Sequence, residues 1–152
     1  MNMNERRRVR RRALLSLAVA LFIFANSLVG PSLSIALSHF VARFLNPSLD
    51  PTVEGTGALF HFLLRKGAHV TEFALLGLSL VGFARALGRL HRRAYVALPL
   101  LLTLSVAVTD EFIQSFTGRT SSVHDVVLDF CGGLLGLGLG VLVSRLRARK
   151  GS

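Results

Sequence analysis

The sequence predicts an all-α fold: an integral membrane four-helix bundle, with an interfacial amphipathic helix in the long outer loop between its first two spans. Three observations lead there. The 152 residues are 51% hydrophobic and only 17% charged, with a mean hydropathy of +0.56, a pairing foreign to soluble domains. Four apolar segments are visible, at 13–29, 68–86, 94–113 and 123–143. The bases fall in short clusters between these runs, as topology signals do.

The first segment follows six arginines (Arg6, Arg7, Arg8, Arg10, Arg11 and Arg12). That arrangement, with "FANS" at its end, also suits a secretory signal. An uncleaved anchor fits better, because the later spans need this charge cluster to orient them. The outer loop follows. Its "PSLSIALSHFVARFL" places Leu33, Leu37, Phe40, Val41 and Phe44 on one helical face, with Ser34, Ser38 and Arg43 elsewhere, as in a helix lying in the interface. "NPSLDPTVEGTG" reads as a loop, and "ALFHFLL" as an interfacial approach to span 2. Spans 2 and 3 are joined through Arg85, Arg89, Arg92 and Arg93, and span 4 runs into Arg145, Arg147, Arg149 and Lys150. The domain reading is a basic N-terminus (1–12), one membrane domain (13–143) and a basic tail (144–152).

Of 18 Lys and Arg, 14 lie on the side of the termini; the other four are Arg43, Arg65, Lys66 and Arg119. The positive-inside rule therefore places both termini in the cytoplasm. A net charge of +10 raises nucleic acid as a partner, but no basic amphipathic face with interleaved aromatics exists to bind it. The single cysteine, Cys131, excludes an intrachain disulfide and, lying in an apolar run, reads as a buried small hydrophobe.

Acids distribute oppositely. Only Glu5 is on the cytoplasmic side, while Asp50, Glu54, Glu72, Asp110, Glu111, Asp125 and Asp129 fall in the outer half. At 1.5 Å per residue, Glu72, Asp110 and Asp129 lie roughly 6–9 Å below the outer boundary, on three different helices. Arg65, His69, Glu72, Leu76 and Ser79 share one stripe of span 2. Asp110, Glu111 and Gln114 are neighbours on span 3, and Asp125 stacks on Asp129 on span 4. Below them Gly132, Gly136 and Gly140 form a tandem GxxxG with Gly133 alongside, read as a close-packing face. Ser122-x-x-Asp125 matches a capping box, which gives Asp125 a purely structural alternative.

Each intramembrane acid costs about 2.5–3.5 kcal/mol at a span centre, less when shallow, so several together need partners. Glu72, Asp110, Glu111, Asp125 and Asp129 face only Arg65, Lys66 and Arg119. Three resolutions stay open: a carboxyl held protonated, a protonated His69, or a bound divalent cation with His69, Glu72, Asp110 and Asp125 as ligand types.

"RKGAHVTEFALLGL" followed by "TDEFIQSFTGRTSSVHDVVLDFCGGLLG" resembles the VanZ-like family of small bacterial membrane proteins. Ser27, Ser34 and Ser38 add to the likeness, which covers roughly residues 20–143. The matching positions are Arg65, Lys66, His69, Glu72, Asp110, Glu111, Gln114, Arg119 and Asp125. The chain departs from the pattern at Asp129, where asparagine is expected, and at Thr117, where proline is common. The family is named for a protein associated with low-level teicoplanin resistance, which implies a cytoplasmic-membrane protein acting on the cell envelope. Expected partners are membrane lipids and an amphiphilic envelope ligand. Two expectations follow. In one, Glu72 and His69 act as an acid/base pair, Asp110, Glu111 and Asp125 tune charge or hold a cation, and Arg65 and Arg119 bind an anionic group, with Lys66, Gln114 and Asp129 completing the site. In the other, the protein only binds or scaffolds, and the cluster holds the bundle together.

Overall fold

The computed structural model describes residues 3–29, 56–118 and 122–150, with the single positions 36, 40, 41 and 44. Four long helices account for nearly all of them: α1 (Met3–Ser27), α2 (Thr56–His91), α3 (Ala97–Phe116) and α4 (Val123–Lys150). No strand occurs among the described residues. Segments Phe62–His91, Ala97–Phe116 and Val123–Arg149 are long and apolar enough to cross a membrane. α1 does not meet that standard. Its first turns carry the arginine cluster, and only the Ala13–Ser27 part is apolar, shorter than the ~17–25 residues of a spanning helix.

α2 begins at Thr56 rather than at Ala68. "ALFHFLL" is thus the opening of a continuous 36-residue helix, about 54 Å long against a ~30 Å hydrocarbon core. Most of the expected interfacial helix lies outside the described residues. Its positions 36, 40, 41 and 44 are helical, and Phe40, Val41 and Phe44 are exposed.

The bundle is apolar outside and partly polar inside. Leu17, Leu21 and Phe22 on α1, Leu75 on α2, Leu101, Val108 and Phe112 on α3, and Leu135, Leu139 and Leu142 on α4 are all exposed. Ser16, Ser27, Ser79, Thr103, Asp110, Glu111, Gln114 and Asp129 are buried. Water would penalise so much exposed apolar surface; lipid accepts it and gives no reason to hide it. Cys131 follows this logic and corrects the reading of a buried residue: it is exposed. An apolar run in such a helix has an outer face as well as an inner one.

Close approach of α2 and α4 sets the architecture. A Cβ on Gly77 would lie 2.1 Å from the Gly133 carbonyl oxygen, and one on Gly136 would lie 1.8 Å from that of Ala74. A Cβ on Gly132 would lie 2.8 Å from the Val70 carbonyl oxygen, and one on Gly140 would lie 3.0 Å from the Val81 side chain. The glycine ladder is therefore the seam of the bundle, and dispersion between touching backbones is what it contributes. Around it pack Ile23, Phe73, Leu76, Leu80, Val81, Ala107 and Leu137. α1 is pinned to α2 by a 3.0 Å hydrogen bond between Ser79 and Ser16.

The helix ends show which turns are costly. α2 closes with Arg92 in the left-handed region (φ 53°), and the Arg93 N–H donates to the Gly88 carbonyl at 3.2 Å. This is a Schellman-type end with a side chain where glycine is favoured. Arg92→Gly should therefore raise the thermal stability of the purified protein, by up to about 1 kcal/mol; a lowered melting temperature would contradict it. α3 ends conventionally, with Gly118 taking φ 73°.

Candidate functional site

At the end of the bundle away from the arginine-rich loop, four helices deliver polar side chains to one place. α1 contributes Asn26 and Ser27 from its last turn. α2 contributes Arg65, Lys66, His69 and Glu72, and α3 brings Asp110, Glu111, Gln114 and Thr117. Ser122, Asp125 and Asp129 come from the start of α4. Each set sits where its helix stripe turns inward, so the clustering follows from the spacing.

Asp110 is the hub. Its side chain is fully buried (0% exposed), with Asp129 at 2% and Glu111 at 4%. The Ser27 hydroxyl donates to Asp110 Oδ1 at 2.5 Å, and the Gln114 amide donates to Oδ2 at 2.7 Å. His69 Nδ1 lies 3.9 Å from Asp110 Oδ2 and 3.7 Å from Asp129 Oδ1. His69, Asp110 and Asp129 therefore offer three ligand-type atoms within 4.8 Å of one another. Beside them, with Asp110 outside its lining, is a small cavity of about 10 Å³ lined by Arg65, Lys66, His69, Glu111, Gln114, Asp125 and Asp129. That is close to the least space one water requires.

Two acids have settled partners. Asp125 pairs with Lys66, with both side chains 26% exposed, so this ion pair stands at the mouth. Glu72 accepts a 2.7 Å hydrogen bond from Asn26 Nδ2. It belongs neither to the cavity lining nor to the three-ligand group. The ligand-type set is thus His69, Asp110 and Asp129, whereas the sequence suggested His69, Glu72, Asp110 and Asp125. His69 and Glu72 share a stripe, yet three residues on a helix are about 60° apart in azimuth, enough to turn one toward α1 and the other toward α3 and α4.

The capping box resolves in an unexpected way. The Asp125 N–H donates to Ser122 Oγ at 3.2 Å, as the pattern requires. The reciprocal bond is made from another helix: the Ser122 N–H donates to Glu111 Oε1 at 2.6 Å. Asp125 is thereby released to meet Lys66. Glu111 Oε2 has no hydrogen-bond partner among the described residues.

Arg119 lies outside the described residues. His124 is exposed, as its place at the start of α4 suggests. The sequence reading passed over Asn26, whose only advance signal was a polar pair, Asn26-Ser27, closing an apolar run. Thr117 also reaches α1, with its hydroxyl 3.3 Å from the Ser27 carbonyl.

No curated protein and no solved structure matches the chain. The family model described as VanZ/LLP1 matches residues 12–144, a stretch that contains all four groups of site residues. The chain belongs to the VanZ/LLP1 family.

Proposed function

We propose that this protein is a multi-pass protein of the bacterial cytoplasmic membrane that docks the head group of an amphiphilic envelope molecule, a lipid or a cell-wall precursor, at the outer leaflet. Both termini lie in the cytoplasm in this reading, with α1 as the fourth span. Fourteen of the 18 bases at the opposite end of the bundle support the orientation. The observation that carries the function is the convergence of Asp110, Glu111, Asp129 and His69 from three helices directly beneath Arg65 and the Lys66–Asp125 pair. Intramembrane ionisable groups in such number are a functional signature.

Binding is favoured over chemistry on the substrate. A cavity of about 10 Å³ admits a water or an ion and no head group. The amphiphile therefore meets the mouth, where Arg65 is placed to hold a phosphate or carboxylate. A link to glycopeptide resistance would follow from occupying or shielding a precursor at that surface.

One observation favours a structural second reading. Asp110 joins α1 to α3 through Ser27 and Gln114, so the cluster also closes the bundle. Glu111→Gln, Asp110→Asn and Asp125→Asn separate the two. With a photoactivatable lipid-linked precursor analogue in membranes, all three should lose crosslinking while folded yield stays constant. Unchanged crosslinking in all three refutes docking. Yield that falls in step with crosslinking supports the structural reading instead.

A further inference from the structure

We infer that the docking site is built on a divalent metal ion of the zinc type, held between α2, α3 and α4 by His69, Asp110 and Asp129 with Glu111 beside them. The inference deepens the docking reading, supplying the group that would face the amphiphile from below.

Geometry comes first. Around a tetrahedral ion with bonds of about 2.0–2.2 Å, ligand atoms stand roughly 3.3–3.6 Å apart. His69 Nδ1 is 3.7 Å from Asp129 Oδ1 and 3.9 Å from Asp110 Oδ2. Small side-chain movements close those gaps. One imidazole with carboxylates is a borderline-to-hard donor set, suited to zinc and ill suited to soft ions.

A cluster of acids alone would not establish a site. The independent sign is Glu111, whose Oε1 is fixed by the Ser122 N–H while Oε2 is buried and lacks a hydrogen-bond partner among the described residues. Its side chain lines the same cavity as His69 and Asp129. Buried polar atoms in that condition call for an ion or a water. Volume agrees, since about 10 Å³ suits one such particle.

Charge agrees as well. By sequence the cluster's five carboxylates, Glu72, Asp110, Glu111, Asp125 and Asp129, outnumber its three bases, Arg65, Lys66 and Arg119, by two. A divalent ion makes up the difference. The Gln114 amide on Asp110 Oδ2 leaves that oxygen a second lone pair and fixes its direction, as outer hydrogen bonds do for metal ligands. Asp129 has a particular place here. It brings the third ligand-type atom from α4, with Oδ1 3.7 Å from His69 Nδ1.

Zinc content of the full chain, purified in detergent without chelator and then titrated with Zn²⁺ and Co²⁺, tests this. One ion per chain is expected, with visible Co²⁺ absorption that Zn²⁺ abolishes. Asp129→Asn and His69→Gln should each weaken Zn²⁺ binding by tenfold or more, while Gly138→Ala, far from the cluster in an open position, should leave it unchanged. Asp129→Asn is nearly isosteric, so retained folding is expected and is checked by size-exclusion profile. Absence of stoichiometric metal in the wild-type chain, or equal binding in both ligand variants, overturns the metal. If the metal-free protein still crosslinks the precursor analogue, docking stands and the metal's part in it falls. Metal bound without any crosslinking leaves the metal standing and removes docking.

Discussion

Gly136→Ala should unfold or severely destabilise the protein, while Gly138→Ala, two residues away on the same helix, should be neutral or mildly stabilising. The chemical change is identical, one methyl group on α4. At Gly136 the new Cβ would sit 1.8 Å from the Ala74 carbonyl oxygen, whereas at Gly138 nothing lies within 4 Å. Glycine-to-alanine in a helix interior gains about 1 kcal/mol of propensity, which is all that Gly138→Ala would register. At Gly136 that gain is overwhelmed. The obstructing atom is backbone and cannot rotate away, so α2 and α4 must separate along their whole seam. Overpacking costs about 1–3 kcal/mol where side chains can shift, and a backbone collision belongs at or above the top of that range. Total stabilities are about 5–15 kcal/mol, so a large share is lost. The series should be graded: Gly132→Ala (2.8 Å from the Val70 carbonyl) intermediate and Gly140→Ala (3.0 Å from the Val81 side chain) mild. Thermal melts in one detergent would show the order. Equal melts for the Gly136 and Gly138 variants would show that α2 and α4 do not meet backbone to backbone at Gly136.

That seam also aligns the site. Lys66 and His69 are on α2, and their partners Asp125 and Asp129 are on α4, so helix separation pulls these pairs apart. The sequence already contained the ladder, because glycines four apart can have few other uses on a helix so apolar. It contained the polar set for a similar reason: acids are too expensive in lipid to be scattered. What it did not contain was the pairing. Repeat spacing places residues on a face, but which neighbour a side chain meets depends on crossing angles between helices. Glu72 therefore turned out to be held by Asn26 of α1, and Glu111 by the first turn of α4. The three-ligand group formed with Asp129 in place of Glu72 and Asp125. The helical start of α2 at Thr56 is not legible in hydropathy, because the polar run Arg65-Lys66 interrupts the apolar pattern. In a helix this long, Arg65 and Lys66 mark the edge of the apolar layer and do not mark the end of the hydrogen-bonded backbone.

Asp110→Ala should be far more damaging to folding than Asp110→Asn, although both remove the same charge. Asparagine keeps the shape and two polar atoms. Its carbonyl still accepts from Ser27, and the Gln114 amide can turn over to accept from the new NH₂ group, so both bonds survive in altered polarity. Alanine strands the Ser27 hydroxyl and the Gln114 amide in a fully buried place. Unsatisfied buried groups cost about 1–3 kcal/mol each in soluble proteins. Interhelical hydrogen bonds in membranes average only about 0.6 kcal/mol, at most about 1.7, because the unfolded helices in lipid find other partners. The membrane figure governs Ser27, whose bond runs between α1 and α3. The Gln114 bond is made one turn away on the same helix and persists when helices separate, so it largely cancels between the two states, and the rest of the loss comes from the packing given up when a fully buried side chain is truncated. A loss of about 2–3 kcal/mol for Asp110→Ala, and under about 1 kcal/mol for Asp110→Asn, follows. A double-mutant cycle with Ser27→Ala isolates the interhelical part. The double variant should be less destabilised than the sum of the two single variants, by no more than about 1.7 kcal/mol; the longer 3.4 Å contact between Gln114 and Ser27 is lost wherever Ser27 is replaced and drops out of the cycle. A coupling near zero would mean that the 2.5 Å bond from Ser27 to Asp110 contributes nothing to holding α1. The charge of Asp110 would then have no role in closing the bundle, and only the site itself would account for its burial.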